Sequence, residues 1–297
     1  MFDPAGIRTL ASGLRFPEGP AVSADGSILV PEIEGAAVSV VRPDGTHTVL
    51  AECGGGANGC AFGPDGALYV CNDGGLVFTA VDGIRFPVAL AEDYKGGCLQ
   101  RVDVTTGAVE DVFTECDGEH IRSLNDIVFD TAGSCYFVDT SRGTIYYADP
   151  AQGSIRVAAG NLEAPNGAGL SPDGGLLYVS ETYTGRLRVF AVTSPGTLAA
   201  RPDLYAHDGT GGQYWDGLAV DGAGNVCVAD MLGSGIRVIS PQGEVLGAFV
   251  TPVTDAYVTN LCFGGPDGDT AYIASAGRGL LYEVPWPWPG LRLNFQP

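Results

Sequence analysis

Positive charge is scarce in this chain: 15 Lys and Arg stand against 35 Asp and Glu among 297 residues, for a net charge of −20. Surfaces that grip a phosphate backbone or an anionic membrane do so through clustered Lys and Arg, so neither nucleic acid nor membrane is expected as a partner. The acidic balance suits cation binding, although solubility alone also accounts for it. Long apolar runs are missing as well, and none approaches the roughly 20 residues of a bilayer-spanning helix. The opening "MFDPAGIRTLASGL" shows no basic segment followed by an apolar core and a cleavage pattern, so a soluble, cytoplasmic protein is expected. The eight cysteines include no "CxxC" pair, and Cys135, Cys227 and Cys262 fall inside strand-like runs. Buried free thiols suit that compartment. Histidine occurs only as His47, His120 and His207, without metal-ligand spacing, and no "GxSxG" motif supplies a serine nucleophile.

Turn residues are abundant instead. With 45 Gly, 19 Pro and two Met, the composition points away from helical bundles and toward an all-β fold with many turns.

One pattern recurs six times. "PEGPAVSADGSILVPE" from Pro17 aligns with "ANGCAFGPDGALYVCN" from Ala57, "LNDIVFDTAGSCYFVD" from Leu124, "PNGAGLSPDGGLLYVS" from Pro165, "WDGLAVDGAGNVCVAD" from Trp215 and "TNLCFGGPDGDTAYIAS" from Thr259. In the first five, a polar residue is followed four positions on by an apolar one and eight positions on by a glycine; the sixth carries one extra residue. The turn glycines Gly26, Gly66, Gly133, Gly174, Gly224 and Gly268 are separated by steps of 40, 67, 41, 50 and 44 residues, the spacing of propeller blades. The long step holds a surface excursion between "YVCNDGG" and "GGCLQRVDV". Each repeat continues through further strand-like runs, such as "GRLRVFAV" after "LYVSET", which makes four strands per repeat. The sixth runs out early, while the N-terminus has a spare run, "IRTLASGL". The expected fold is therefore a single six-bladed β-propeller domain over residues 1–297, with four-stranded antiparallel blades and a ring closed by an N-terminal strand.

The innermost strands of a propeller surround its axis, so the recurring polar residues Glu18, Asn58, Asn125, Asn166, Asp216, and Thr259 or Asn260 point at one place. A ring of carboxylate and amide oxygens, without His or Cys, suits a hard cation, with Ca²⁺ the first expectation and Mn²⁺, Mg²⁺, Zn²⁺ or Fe²⁺ open to availability. A plain turn explains Asn or Asp before Gly in any single copy. It does not explain Glu18, since Glu is a poor turn former.

The segments "PEGPAV", "LNDIVFD", "APNGAGLSPDG" and "WDGLAVD" resemble, in order, the metal-binding segments of the regucalcin/gluconolactonase family of six-bladed propellers, relatives of the paraoxonases and of diisopropylfluorophosphatase-type phosphotriesterases. The resemblance runs over the whole chain. It implies a catalytic divalent cation held by Glu18, Asn166 and Asp216, with Asn125 as a fourth ligand or a substrate contact. It implies metal-assisted opening of a lactone ring, with Asp216 as candidate to orient or deprotonate water and Asp126 as its rival. In sugar-lactonase members an Arg stands two positions before the "ND" asparagine; Ser123 stands there in this chain, which leaves a more apolar lactone or ester open. Asn58, Ser123 and His120 are candidate substrate contacts. So are the aromatics Phe16, Tyr183, Tyr214, Trp215 and Tyr257, unless they pack between blades. Phosphotriester hydrolysis at the same site and a non-enzymatic binding propeller are the competing readings.

Overall fold

The turn between the first two strands of each repeat shows how the pattern becomes a blade. In the computed structural model, which describes residues 6–206 and 214–297, Gly26 donates to Ser23 O at 3.0 Å and Ser23 donates to Ser27 O at 2.8 Å, while Asp25 Oδ1 accepts the Ser27 amide at 2.9 Å. The glycine takes φ near +80°, a region that a Cβ disfavours. All six turn glycines share it, with φ between +69° and +93°.

The six repeats form six antiparallel sheets. In the first blade, Ala21–Val22, Ile28–Glu32, Ala37–Val41 and His47–Glu52 run outward from the axis; in the third, Leu124–Phe129, Cys135–Asp139, Thr144–Asp149 and Ser154–Ala159 do the same. Inner strands such as Ala57–Phe62 and Pro165–Leu170 are buried along their whole length, whereas outer strands such as Ser154–Ala159 are largely exposed. The core therefore lies between neighbouring blades. Tyr69, Leu99, Phe129, Phe137 and Tyr146 pack the junction of the second and third blades, and Leu187, Trp215, Leu218 and Val228 that of the fourth and fifth.

The ring closes as the spare N-terminal run predicts. Arg8–Ser12 pairs antiparallel with Leu280–Pro285 and forms the outermost strand of the sixth blade. Leu10, Ala11 and Leu14 are buried with Val22, Ile28 and Leu281, sealing the sixth blade to the first. At the far end of the axis the C-terminal tail crosses the ring: Gly290 donates to Gly268 O at 2.7 Å, Asn294 Nδ2 to Phe129 O at 3.0 Å, and Phe295 packs edge-on against Phe129.

The long repeat step is an ordered hairpin. Leu76–Val81 and Ile84–Leu90 pair with each other between the second and third strands of the second blade. Among the described residues no helix is long and apolar enough to cross a membrane. All eight cysteines are unpaired, seven of them buried.

Candidate functional site

Every inner strand carries a one-residue irregularity where its recurring polar residue stands. Pairing slips between Ala57 and Cys60, Leu124 and Ile127, Pro165 and Ala168, Trp215 and Leu218, and Val258 and Asn260; in the first blade, Pro17 opposes Glu32 but Ala21 opposes Leu29. A bulge re-aims a side chain that strict alternation would send between blades. In the second to fifth blades the polar residue and its successor together occupy the bulge, which is why the pattern is a dipeptide; in the sixth, Thr259 alone does and Asn260 pairs with Ala274.

The successor residues Gly19, Gly59, Asp126, Gly167, Gly217 and Asn260 meet on the axis. A Cβ on Gly19 would lie 2.7 Å from Gly59 Cα, and one on Gly59 would lie 2.6 Å from Asp126 Oδ1. Glycine at four blades thus leaves room for two side chains from opposite blades, Asp126 and Asn260. Each folds back on the next amide: Asp126 Oδ1 accepts Ile127 N–H at 3.0 Å, and Asn260 Oδ1 accepts Leu261 N–H at 2.8 Å. In the sixth blade the register position itself belongs to Thr259, whose hydroxyl donates to Pro17 O at 3.0 Å.

Five axial residues remain as donors: Glu18, Asn58, Asn125, Asn166 and Asp216, all buried. Glu18 Oε2, Asn58 Oδ1, Asn125 Oδ1 and Asn166 Oδ1 are buried without any hydrogen-bond partner. One such oxygen is unusual in a native protein, and four on adjacent blades at equivalent positions call for a common partner. Asn166 is oriented for this, because its Nδ2 donates to Thr182 Oγ1 at 3.2 Å and leaves its oxygen facing inward. Burial, then the charges of Asp216 and Asp126, push the Glu18 carboxyl well above its usual range. Burial also lifts Asp216 to about 7, against the Asn166 amide, and Asp126 to about 7, against the amides of Ala168 and Ile127 and the Asn260 side chain. Uncompensated buried carboxylates and unpaired amide oxygens are together the donor chemistry of a hard divalent cation. Among the described residues no group of three His, Cys, Asp or Glu forms a metal cluster, and most of these donors are amides.

A second ring of polar residues holds the first. It stands at the ends of the second strands: Glu32, Asn72, Asp139, Glu181, Asp230 and Ser275, all buried. Glu32 accepts Arg15 N–H, Asn72 Oδ1 accepts Gly56 N–H at 3.1 Å, and Asp139 accepts Arg122 and Ser123 N–H at 2.8 and 3.2 Å. Glu181 Oε1 accepts Glu163 N–H at 3.1 Å, and Ser275 acts through Asp255, whose Oδ1 accepts Tyr257 N–H at 2.9 Å. Each anchored amide lies two or three residues ahead of an axial residue.

The rim candidates separate. Trp215 is fully buried, between Tyr205 and the Arg237 guanidinium, so it packs between blades instead of lining a pocket; one residue before Asp216 in the strand, it faces away from the axis. Phe16 is buried with its φ at +60° and touches Phe78 and Tyr257. Tyr183 and Tyr214 are 73% and 37% exposed and meet edge to face at 5.9 Å. Ser123 is half-buried beside Asn125, its amide held by Asp139. His120 is exposed on the small hairpin Glu115–Cys116 and Glu119–His120, which packs near the outer strand of the third blade; no described contact brings it to the axis. His207 lies outside the described residues.

Two features escape sequence reading. Asp73, next to the second-ring residue Asn72, is buried, raised to about 7 by burial, and close enough to Glu18 to push that carboxyl up. The other is the hairpin 76–90, which reaches past the first blade to the sixth. Arg85 N–H donates to Gly277 O at 2.8 Å, the Arg85 guanidinium pairs with Glu34, and Arg278 Nη1 donates to Asp82 O at 3.0 Å. The signal for Asp73 was the single acid in "YVCNDGG", directly after Asn72; the hairpin's was alternation in "LVFTAVDGIRF".

Residues 16–277 match the SMP-30/Gluconolactonase/LRE-like region family. A gluconolactonase of Zymomonas mobilis subsp. mobilis is 25% identical over an aligned length of 310 residues, 91% of this chain and 79% of that protein. The solved gluconolactonase of Xanthomonas campestris superposes with a TM-score of 0.76 at 24% identity, covering 95% of this chain and 89% of the other. The calcium-binding protein regucalcin from Agrobacterium tumefaciens does so with a TM-score of 0.74 at 18% identity, covering 98% and 97%. These two likenesses show the fold, and the sequence match shows the family. With its bulged axial dipeptides spread over the matched segment, this chain belongs to the SMP-30/gluconolactonase/LRE-like family.

Proposed function

We propose that the protein is a metal-dependent lactonase, a hydrolase that opens a cyclic ester at the axial site of a single propeller domain. The observation that carries this reading is the set of four partnerless buried oxygens on Glu18, Asn58, Asn125 and Asn166, beside the Asp216 carboxyl. The named lactonase relative supports the choice of reaction. Glu18, Asn125, Asn166 and Asp216 would hold the cation. Ca²⁺ is the first choice for an all-oxygen site with a regucalcin of calcium-binding description among its structural neighbours, ahead of Mn²⁺, Mg²⁺, Zn²⁺ or Fe²⁺. When bound, the cation supplies Lewis acidity toward the ester carbonyl oxygen.

The chain's own residues do the rest. Asp216 would orient the attacking water and accept its proton. Asp126 is the weaker rival, because both its oxygens accept backbone amides, of Ile127 and of Ala168 at 3.1 Å. The Asn125 and Asn58 amides would bind the ester or the cation. The proton then passes to the ring oxygen as its bond to the acyl carbon breaks, leaving a hydroxy acid. Eight unpaired cysteines favour a reducing, cytoplasmic setting.

The test is hydrolysis of a lactone panel by the purified protein, before and after chelation and with each cation restored. Turnover that falls on chelation and returns with one cation supports the assignment. Full turnover in chelator refutes the metal's role, and turnover of phosphotriesters but no lactone replaces the reaction.

A further inference from the structure

Two rings of the hairpin 76–90, Phe78 and Phe86, join an aromatic row with Phe16 and Tyr257. Phe78 packs on Phe16 at 4.8 Å between ring centroids, Phe16 on Tyr257 at 5.8 Å, and Phe86 stacks on Tyr257 at 6.2 Å with the rings 6° from parallel. Phe16 lies two residues before Glu18, and Tyr257 two residues before Thr259, so this row stands on the loops that deliver the first and sixth blades to the axis. Leu76, Ile33 and Ala276 complete the cluster. Phe78, Phe86 and Tyr257 are only half-buried, so each keeps ring surface to offer. The Tyr183–Tyr214 pair stands exposed on the fourth and fifth blades.

A lone two-stranded hairpin is marginal in water, and this one is held down by Arg85 on Glu34 and Gly277 and by Arg278 on Asp82. It is therefore a fixed wall more than a free loop. Its rings can cover alkyl or aryl surface, but they offer no partners to a row of hydroxyl groups, which would lose their water on this side of the mouth. On the lactonase reading above, we propose that the hairpin selects lactones carrying an apolar substituent, alkyl or aryl, over polyhydroxylated ones, with Phe86 and Tyr257 as specificity-determining residues.

The experiment compares kcat/KM for γ-lactones of increasing alkyl length with that for glucono-δ-lactone, in the wild type and in Phe86→Ala, Phe86→Leu and Val88→Ser, with binding of γ-decalactone to the metal-free proteins measured by calorimetry. In the wild type kcat/KM rises about fourfold per methylene until the wall is covered, mainly through KM, and glucono-δ-lactone falls below the longer alkyl lactones. Phe86→Ala flattens that slope, Phe86→Leu restores part of it, and Val88→Ser, at an exposed position of the hairpin, keeps it. A flat wild-type slope, a preference for glucono-δ-lactone, or equal flattening by Val88→Ser overturns the proposal. If no lactone turns over, the reaction assignment fails separately. In that case γ-decalactone binding that weakens in Phe86→Ala upholds the apolar wall, and binding that is absent or indifferent to Phe86 overturns it.

Discussion

The Asp139 carboxylate accepts the amide hydrogens of Arg122 and Ser123, three and two residues ahead of Asn125, at 2.8 and 3.2 Å. It also accepts the Arg142 amide at 3.0 Å, closing the turn on its own blade. One buried side chain thus fixes the approach of an axial residue to the site. Replacing Asp139 by Ala strands several amides, each buried unpaired donor costing about 1–3 kcal/mol, so the melting temperature falls by several degrees. Loss of an outer-shell partner lowers metal affinity by about 10- to 100-fold. Calorimetric titration with Ca²⁺ checks this: unchanged affinity in a folded Asp139→Ala protein would limit the second ring to a role in stability.

Glu18→Gln separates charge from shape at the axis. The amide is nearly isosteric, so the fold is kept, and one of the buried acids Glu18, Asp73, Asp126 and Asp216 is neutralised. In chelator at pH 7 the variant is expected to melt at a higher temperature than the wild type, because it no longer has to bury that charge or hold a proton to avoid it. With cation present the order reverses, since the wild type gains binding energy that the variant lacks. Hydrolysis is lost. Paired melts with and without Ca²⁺ read this out, and a variant stabilised by Ca²⁺ as strongly as the wild type removes Glu18 from the ligand set.

The same carboxyls set a pH dependence. Asp73, Asp126 and Asp216 titrate near 7 in the folded chain against 3.8 when unfolded, and Glu18 is also raised. Between those values the folded state holds more protons than the unfolded state, so stability falls as pH rises. The metal-free protein is expected to lose stability progressively from about pH 4 to about pH 7, with little further loss from these groups above it. A bound cation displaces the protons and flattens the slope. Urea unfolding at pH 5 and pH 7 in chelator, repeated with excess Ca²⁺, tests this; a metal-free protein more stable at pH 7 than at pH 5 contradicts it.

The propeller was legible in the sequence because its signal is repeated: six turn glycines at positive φ and six polar residues eight or nine positions before them report one geometry many times over. The axial ring was legible for the same reason, down to Glu18, where a turn gives no account of the residue. What the pattern could not show is the bulge, since pairing slips only when the partner strand is known. Without it, Asp126 stands level with Asp216 as a candidate base; in the structure both its oxygens accept backbone amides. Of the two places open to Trp215, the rim and the space between blades, it takes the second, because successive residues of a strand face opposite ways and Asp216 takes the axis. Asp73 and the hairpin belong to a single blade, so no repetition singled them out.

Ring closure offers the most demanding test of the fold. Arg8–Ser12 pairs along Leu280–Pro285, and Leu10 and Leu14 are buried against Val22, Ile28 and Leu281 of two different blades. Deleting residues 1–14 exposes that apolar surface and leaves the edge of the sixth blade unpaired. Burying a leucine side chain contributes about 1.5–3 kcal/mol, so the two leucines alone carry a large share of a total near 5–15 kcal/mol. The truncated chain is expected to melt more than about 10 °C lower, or to aggregate through the open edge. Leu10→Ala is the milder form of the same test, with an expected loss of about 2–5 kcal/mol in urea unfolding. A truncated protein that melts with the wild type would mean that the first and sixth blades hold together without the N-terminal strand, and that the paired residues of the sixth blade carry the closure alone.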